Sequence, residues 1–576
     1  MKQLLLFALL LPLSAAAQVT YYVDAATGND ANAGTGLAAP WRTLQKACDA
    51  ATPNSTVLVR GGSYYENLVV RVSGAAAQPI TFKAYGTELV RVDGTGTTGT
   101  TLLRVANCSF LRFENLVFQN LTAANAQGVL VETIGPGTAT DLTFKNVIVR
   151  NIRWTNNIAT VPRATDNAQG FIAYGRRGGI ARLTLDSCEV HDNVLGFSEA
   201  LTLDGNVDGF VVRRCRVHDN TNIGIALIGH YGVSPDPATD QARHGLVQGN
   251  SCYRNVAAYA TAGGIYVDGA RDIVVDGNRS YENGWGIEVG AEENGDVTNV
   301  EVTNNLLYRN QQAGLALGGY TTATTGQVLG CAVRNNTLLF NNTLNDGTGE
   351  LVLTKASNCR FENNAVYTTA QNVLFSVEAI APQAGNGFDY NTWYTPANNA
   401  GALTVNWRNT TYPSFAAYQT GTGQDANSRY ANPGLANAAL AAPDAHLLAT
   451  SPCRDAGNPA TATRPGETDF DGRTRVAGPR IDIGAFEFGS TATGTTTGRE
   501  TAPALSLFPV PTPDVLQVQV PFPTYSLALY DDRGQLVRRL PTSTPAFSVR
   551  ELPAGVYWVR VTAPTGQTLT RRFVKE

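Results

Sequence analysis

Short runs of alternating apolar and polar residues dominate the chain. The segments 201–204 (LTLD), 225–228 (IALI), 265–268 (IYVD), 287–290 (IEVG), 315–318 (LALG) and 351–354 (LVLT) all carry aliphatic residues in their first and third places. A period of two predicts β-strands whose first and third side chains enter a core while the second and fourth point outward. Asparagines punctuate these strands at Asn120, Asn151, Asn193, Asn220, Asn255, Asn283, Asn310 and Asn341, mostly 27 to 31 residues apart. A second column precedes each by five residues: Asn115, Asn146, Cys188, Cys215, Asn250, Asn278, Asn305 and Asn336. A constant period of this size predicts a solenoid whose turns bury their inner faces only by stacking on one another. An amide repeated at every turn suits that arrangement, because it bonds the backbone at a corner and stacks on the amides of the neighbouring turns.

Composition narrows the picture. The chain has 576 residues with 57 glycines and one methionine, and only 16% of it is charged, so corners are plentiful and amphipathic helices scarce. A single helix is expected, from Trp41 to Ala51, with Leu44, Ala47 and Cys48 on one side, placed to cover the open end of the first turn. Net charge is -4 and no run of basic residues occurs, which makes nucleic acid and anionic membrane poor partners. Lys2, the apolar run Leu4 to Leu13 and the small residues Ser14 to Ala17 predict a cleavable export signal over residues 1–17, with the mature chain starting at Gln18. That run is too short to span a bilayer, and no later stretch qualifies. The eight cysteines of an exported protein are candidates for disulfides. However, Cys188 and Cys215 share one column and Cys331 and Cys359 another, the placement of stacked, buried thiols.

Three segments resemble known families. Residues 21–90, from YYVDAATGNDANAGTG through VLVRGGSYYENLVV to PITFKAYG, resemble the opening of bacterial right-handed parallel β-helix proteins of the pectate-lyase-like superfamily. SPCRDAGNP followed by DFDGRTRVAGPRIDIGAFEF resembles the closing segment of many such proteins, and ends near Phe488. A polar linker, 489–503, follows. Beyond it, Leu507 to Thr512 with Asp514 and Leu516, then Tyr530 to Gly534, Leu552 to Tyr557 and the tail RRFVKE resemble the C-terminal sorting domain of the Bacteroidota type IX secretion system. Val510 stands where that family usually has asparagine. The resemblances imply an all-β protein: a right-handed parallel β-helix over 18–488, with its N-terminal cap and opening coils in 18–90, and a small antiparallel β-sandwich over 504–576 that addresses the chain to the secretion machinery. A monomer is expected, secreted or at the cell surface, reaching the periplasm by its signal and then crossing the outer membrane.

Candidate chemistry lies on one outward face. Successive strands present Thr202 and Asp204, Ala226 and Ile228, Tyr266 and Asp268, then Glu288; just after them come His230, Tyr231, Arg271, Glu292, Glu293, Tyr320 and Lys355. Asp268 and Glu288 fall on adjacent turns, two residues out of step, so strand spacings of about 4.8 and 6.6 Å set their carboxyls ~5 to ~9 Å apart. That interval contains both carboxyl separations used in glycoside hydrolysis. Asp268 and Glu288 are therefore the expected reacting pair, with Glu292 as a third acid. Asp204, His230, Tyr231, Tyr266, Arg271, Trp285, Tyr320 and Lys355 are the expected substrate contacts. Residues 231–262 read as an insertion that walls the cleft.

Other readings stay open. An Asp before Gly, as at Asp204 and Asp268, also simply makes a turn. No cofactor is required for hydrolysis; the same acids would alternatively hold Ca²⁺ against a uronic acid while Lys355 or Arg271 removes a proton in β-elimination. The β-helix, 18–488, has no acidic calcium motif and lacks the NTD and DD signatures of β-helix polygalacturonases, so no catalytic residue carries over from a known family and the metal ligands are undefined. A non-catalytic adhesin or glycan-binding solenoid fits the same pattern. The preferred reading is hydrolysis of an extracellular polysaccharide.

Overall fold

The computed structural model describes residues 18–319, 322–368, 373–396, 404–438, 443–489, 506–508, 515–520, 524–531, 535–562, 564 and 568–575. The expected signal 1–17, nearly all of the linker, Tyr320 and part of the sorting motif lie outside them. The chain divides into two units, Met1–Thr495 and Thr496–Glu576.

In the first unit most turns contribute three strands, one to each of three faces, and the strand Ala168–Asp186 runs through two of these faces. On the first face one inward column runs through Leu103, Val129, Phe171, Leu201, Ile225, Ile265, Ile287, Leu315, Leu351 and Phe375, each paired in register with the next. All ten are buried. Fully burying such a side chain is worth about 1.5–3 kcal/mol, and no single turn could achieve it alone. The second face stacks Phe82, Phe113 and Phe144 at ring separations of 5.2 and 5.0 Å. On the outside of the third face His191, His218, Tyr253, Tyr281 and Tyr308 form a continuous ring stack. Consecutive parallel strands joined this way wind right-handedly.

The asparagine columns form two buried ladders. In one, each side-chain amide from Asn193 through Asn220, Asn255, Asn283 and Asn310 donates to the next asparagine's Oδ1, ending at Asn341. The other runs from Asn250 through Asn278, Asn305, Asn336 and Asn364 to Asn391. Each ladder ends on a buried carboxyl, Glu350 for the first and Asp425 for the second. The early members of both columns need correction. Arg150 pairs with His191, which sets Asn151 opposite Asp192 and not Asn193. Asn115, Asn120, Asn146 and Asn151 all have positive φ (51° to 61°) and form left-handed corners, a conformation asparagine tolerates. Later turns give that corner to the residue before the ladder asparagine, such as Asp192, Asp219 and Glu282.

The ends differ from expectation in two respects. The N-terminal helix covers only Leu44–Ala50, capped by the Thr43 hydroxyl, with Leu44, Ala47 and Cys48 buried; Trp41 instead stacks on Tyr21 at 4.5 Å. A second helix, Phe415–Thr422, is capped by Ser414 and buries Phe415 and Tyr418 against the last turns, where Tyr418 meets Phe375 edge-on. Its sparse helix formers hide it from a propensity reading. The closing segment folds back along the solenoid: Ile483, Ala485 and Phe486 pack with Leu306, Leu339 and Ala365, and Glu467 pairs with Arg334 at 2.7 Å. All eight cysteines are buried and unbridged.

The second unit holds a three-stranded antiparallel sheet (Ser506–Phe508, Val515–Gln519, Ala546–Ser548) and a four-stranded one (Ser526–Asp531, Leu536–Leu540, Gly555–Thr562, Thr568–Lys575). Leu516, Leu529, Val559 and Phe573 lie in their common core.

Candidate active site

The outward row of the first face is covered where acids gather. Asp268 ends the strand Gly263–Asp268 and is 4% exposed; Glu288 lies in the next strand, Trp285–Ala291, opposite Tyr266. Asp268 is opposite Gly290, so the two acids are offset by two residues on adjacent turns, as the pattern predicts.

Two loops build the cover, and the expected insertion 231–262 is thereby corrected. Strands Arg243–Gln248 and Ser251–Tyr253 of the ordinary turn lie inside it, leaving loops 229–242 and 254–262. The first loop closes on Asp240, whose carboxylate accepts the Gly232 and Ser234 amides at 2.7 Å each. This fixes Tyr231, whose hydroxyl donates to Asp268 Oδ2 at 2.7 Å and to Glu292 Oε2 at 3.3 Å, while the residue remains 44% exposed. Tyr266 donates to Glu292 Oε1 at 2.9 Å, and the Glu292 amide to Asp268 Oδ1 at 3.2 Å. Two acids, Asp268 and Glu292, and two tyrosines thus form one network, with Glu288 opposite Tyr266 on the adjacent strand.

Two glycines make room for it. A Cβ on Gly263 would lie 2.7 Å from Glu288 Oε1, and one on Gly290 would lie 2.7 Å from the Tyr266 hydroxyl. Glu288 Oε1 is buried without a hydrogen bond. Burial, then the charges of Glu292 and Asp268, push the Glu288 carboxyl up to about 8. Burial and Glu292 also raise Asp268 well above the carboxylate range, against the opposing bonds from Tyr231 and the Glu292 amide. Desolvation and like charge both disfavour the ionised form.

The structure adds one acid that the strand pattern does not show. Glu199 accepts the Thr202 hydroxyl at 3.2 Å, and burial followed by the charge of Asp204 pushes it up to about 7. Asp204, 7% exposed, is likewise pushed up to about 7, by burial and then Asp240, and its Oδ1 has no partner. Glu199 precedes its strand by two residues, ahead of the alternating positions, in the column of Gly263 and Trp285.

The remaining candidates are placed as follows. Trp285 begins its strand beside Gly263, its indole Nε1 unpartnered. His230 packs against Gly295 and its Nε2 lies 3.4 Å from the Asp296 carbonyl. Arg271 pairs with Asp272 at 3.0 Å. Lys355 is buried, its ammonium donating to the Thr324 carbonyl. Tyr320 lies outside the described residues. No group of three or more His, Cys, Asp or Glu side chains among the described residues is arranged to hold a metal ion.

Comparison with known proteins agrees with the architecture. Residues 236–338 match the model of the right handed beta helix region, and residues 506–576 that of the secretion system C-terminal sorting domain. The chain is a right-handed parallel β-helix protein with a type IX secretion sorting domain. It belongs to the family of the uncharacterized protein YwoF of Bacillus subtilis, with which it is 32% identical over 426 residues, 72% of this chain and 88% of that one. It is also similar to pectate lyase PEL9 of Emericella nidulans, 26% identical over 250 residues (41% of this chain, 54% of that one), and to lacto-N-biosidase of Bifidobacterium longum, 44% identical over 73 residues (12% and 5%). Among solved structures, pectate lyase Pel9A aligns with TM-score 0.45 and 16% identity over 82% of this chain and 97% of that one. No helix among the described residues is long and apolar enough to cross a membrane.

Proposed function

We propose that this protein is exported through the type IX machinery, after a cleaved signal carries it to the periplasm, and hydrolyses a glycosidic bond in an extracellular polysaccharide. The observation that carries the reading is the bonded pair Asp268 and Glu292 beneath Tyr231, with the buried, unpaired Oε1 of Glu288 on the adjacent strand. Glu288, held protonated to about pH 8, is the general acid that protonates the leaving oxygen. Asp268 is the second carboxyl: the Tyr231 hydroxyl, bonded to both acids, relays its proton to Glu292 as Asp268 acts on the sugar or on water, and Glu292 also holds Tyr266. Trp285 and the open face of Tyr231 offer rings to sugars. Similarity to a lacto-N-biosidase and a pectate lyase supports a carbohydrate substrate.

The likeness to pectate lyase PEL9 favours Ca²⁺-assisted elimination as the second reading. Its candidate bases are engaged elsewhere, Lys355 with the Thr324 carbonyl and Arg271 with Asp272. Digestion in water enriched in heavy oxygen separates the two by mass spectrometry. Hydrolysis places the label in each newly formed reducing end and leaves the other end unlabelled, whereas elimination leaves an unlabelled, unsaturated product and would sink the hydrolase assignment.

A further inference from the structure

The acids of the first face extend beyond the reacting pair. Asp204 lies two turns before Asp268 on the same outward column, roughly 9.6 Å away along the axis at about 4.8 Å per turn. It is 93% buried by its 7% exposure, yet its Oδ1 meets no donor. Buried polar atoms are nearly always paired, so an orphan at the floor of a covered face marks a place where a ligand completes the bonding. Beside it, Glu199 is partly open to the surface, and just before Glu199 the ring of Phe197, 41% exposed, meets Tyr259 at 5.3 Å. Tyr259 comes from the 254–262 loop and is fixed by its bond to the Gly196 carbonyl at 2.8 Å. Carboxyls beside an exposed aromatic ring braced by a half-buried one are the elements of a sugar subsite: polar groups to orient, an apolar face to pack.

Charge selects the sugar. Glu199, Asp204, Asp268, Glu288 and Glu292 share this face, and the base that acts on Asp204 is Arg176, itself 3.4 Å from Glu132 and stacked over Tyr174. A polyuronate's carboxylates need a base to receive them, and Arg176 is already engaged by Glu132 and Tyr174. We propose that Glu199 and Asp204 form a second subsite of the same trough and that it accepts an uncharged sugar residue, so that the substrate is a neutral glycan and not a polyuronate. This rests on the hydrolase reading for the identity of the trough as a glycan site. Supporting it, Glu199 and Asp204 are both held near 7, so at mildly acidic pH they donate hydrogen bonds to sugar oxygens as well as accept them. The groups that face this pair are Asp240, Arg176, Tyr174, Thr202, Asp268 and Glu292.

The test is binding without turnover, using the full chain carrying Glu288→Gln. Size-defined oligosaccharides of neutral glucans, xylans, galactans and N-acetylhexosamine glycans, and of polygalacturonate and alginate, are titrated by calorimetry at pH 6 and pH 9. The expected result is binding of a neutral oligosaccharide only, weakened about tenfold or more by adding Glu199→Ala with Asp204→Ala and weaker at pH 9 than at pH 6. Asp204→Asn, which keeps shape and a donor at every pH, is expected to bind at pH 6 and to lose less affinity at pH 9. Binding of uronate oligomers, neutral binding indifferent to every one of these changes, or no neutral binding at all would overturn the subsite. Neutral binding that obeys the pattern, from a protein whose Glu288 form cleaves nothing, would keep the subsite and remove the hydrolase reading.

Discussion

The Tyr231 hydroxyl reaches across 37 residues of sequence to donate a 2.7 Å hydrogen bond to Asp268 Oδ2. It joins a loop that the solenoid does not need for its own stacking to the acid at the end of a core strand. A hydrogen bond between two neutral groups is worth about 0.5–1.5 kcal/mol, or about twofold to tenfold in rate. Tyr231→Phe is therefore expected to lower kcat by that factor while the protein stays folded, as read by circular dichroism. Steady-state kinetics on the cleaved glycan checks this; an unchanged kcat would remove Tyr231 from the site.

Glu288 must be protonated to act as acid, and its carboxyl is pushed up to about 8. The rate should hold through neutral pH and fall as pH rises through about 8. Glu288→Gln is expected to cost roughly 10²- to 10⁴-fold, the usual contribution of general acid catalysis. A pH profile of kcat with no alkaline limb near 8 would assign the proton to another group.

Gly263 leaves space that Glu288 fills. Gly263→Ala would put a methyl 2.7 Å from Glu288 Oε1 and force the carboxyl aside. The expected outcome is a fall in kcat with the ladders and core intact, read by comparing kinetics with circular dichroism. Full activity would mean that the Glu288 position is not critical.

Asn283 shows what a ladder amide does for the fold. Its Nδ2 donates to the Cys252 carbonyl at 3.0 Å, and its Oδ1 accepts from the backbone and side chain of Asn255 at 3.1 and 3.0 Å. Asn283→Ala leaves buried groups unpaired, at about 1–3 kcal/mol each, and should destabilise the solenoid by roughly 3 kcal/mol or more in urea unfolding.

Glu350 ends the first ladder and accepts the Asn341 backbone and side-chain amides at 2.9 and 2.7 Å. Burial pushes its carboxyl up from 4.5 to about 8. A raised folded value means that its contribution to stability is complete below about 4.5 and is lost as pH rises through about 8. Thermal melts from pH 5 to 9 should fall more steeply for the native chain than for Glu350→Gln; equal slopes would contradict this.

The alternating residues made the strands of the first face legible, and with them the register of Asp268 against Glu288. The early asparagine column misled because Asn151 forms a left-handed corner with the ladder's residue type one place away from the ladder. Residues 231–262 looked like an insertion because two loops surround strands too short to show a period. Glu199 was hidden for a related reason: it acts from outside the strand, where no alternation marks which way a side chain points. Tyr231 was visible only as an exposed aromatic, since its bond to Asp268 depends on how Asp240 folds the loop.

The most direct test of the central claim is incubation of the secreted protein, native and Glu288→Gln, with plant, algal and bacterial polysaccharides, following both new reducing ends and unsaturated uronates. The account predicts reducing ends without unsaturation from the native protein and none from the folded variant. Unsaturated products, or equal release by both proteins, would contradict it.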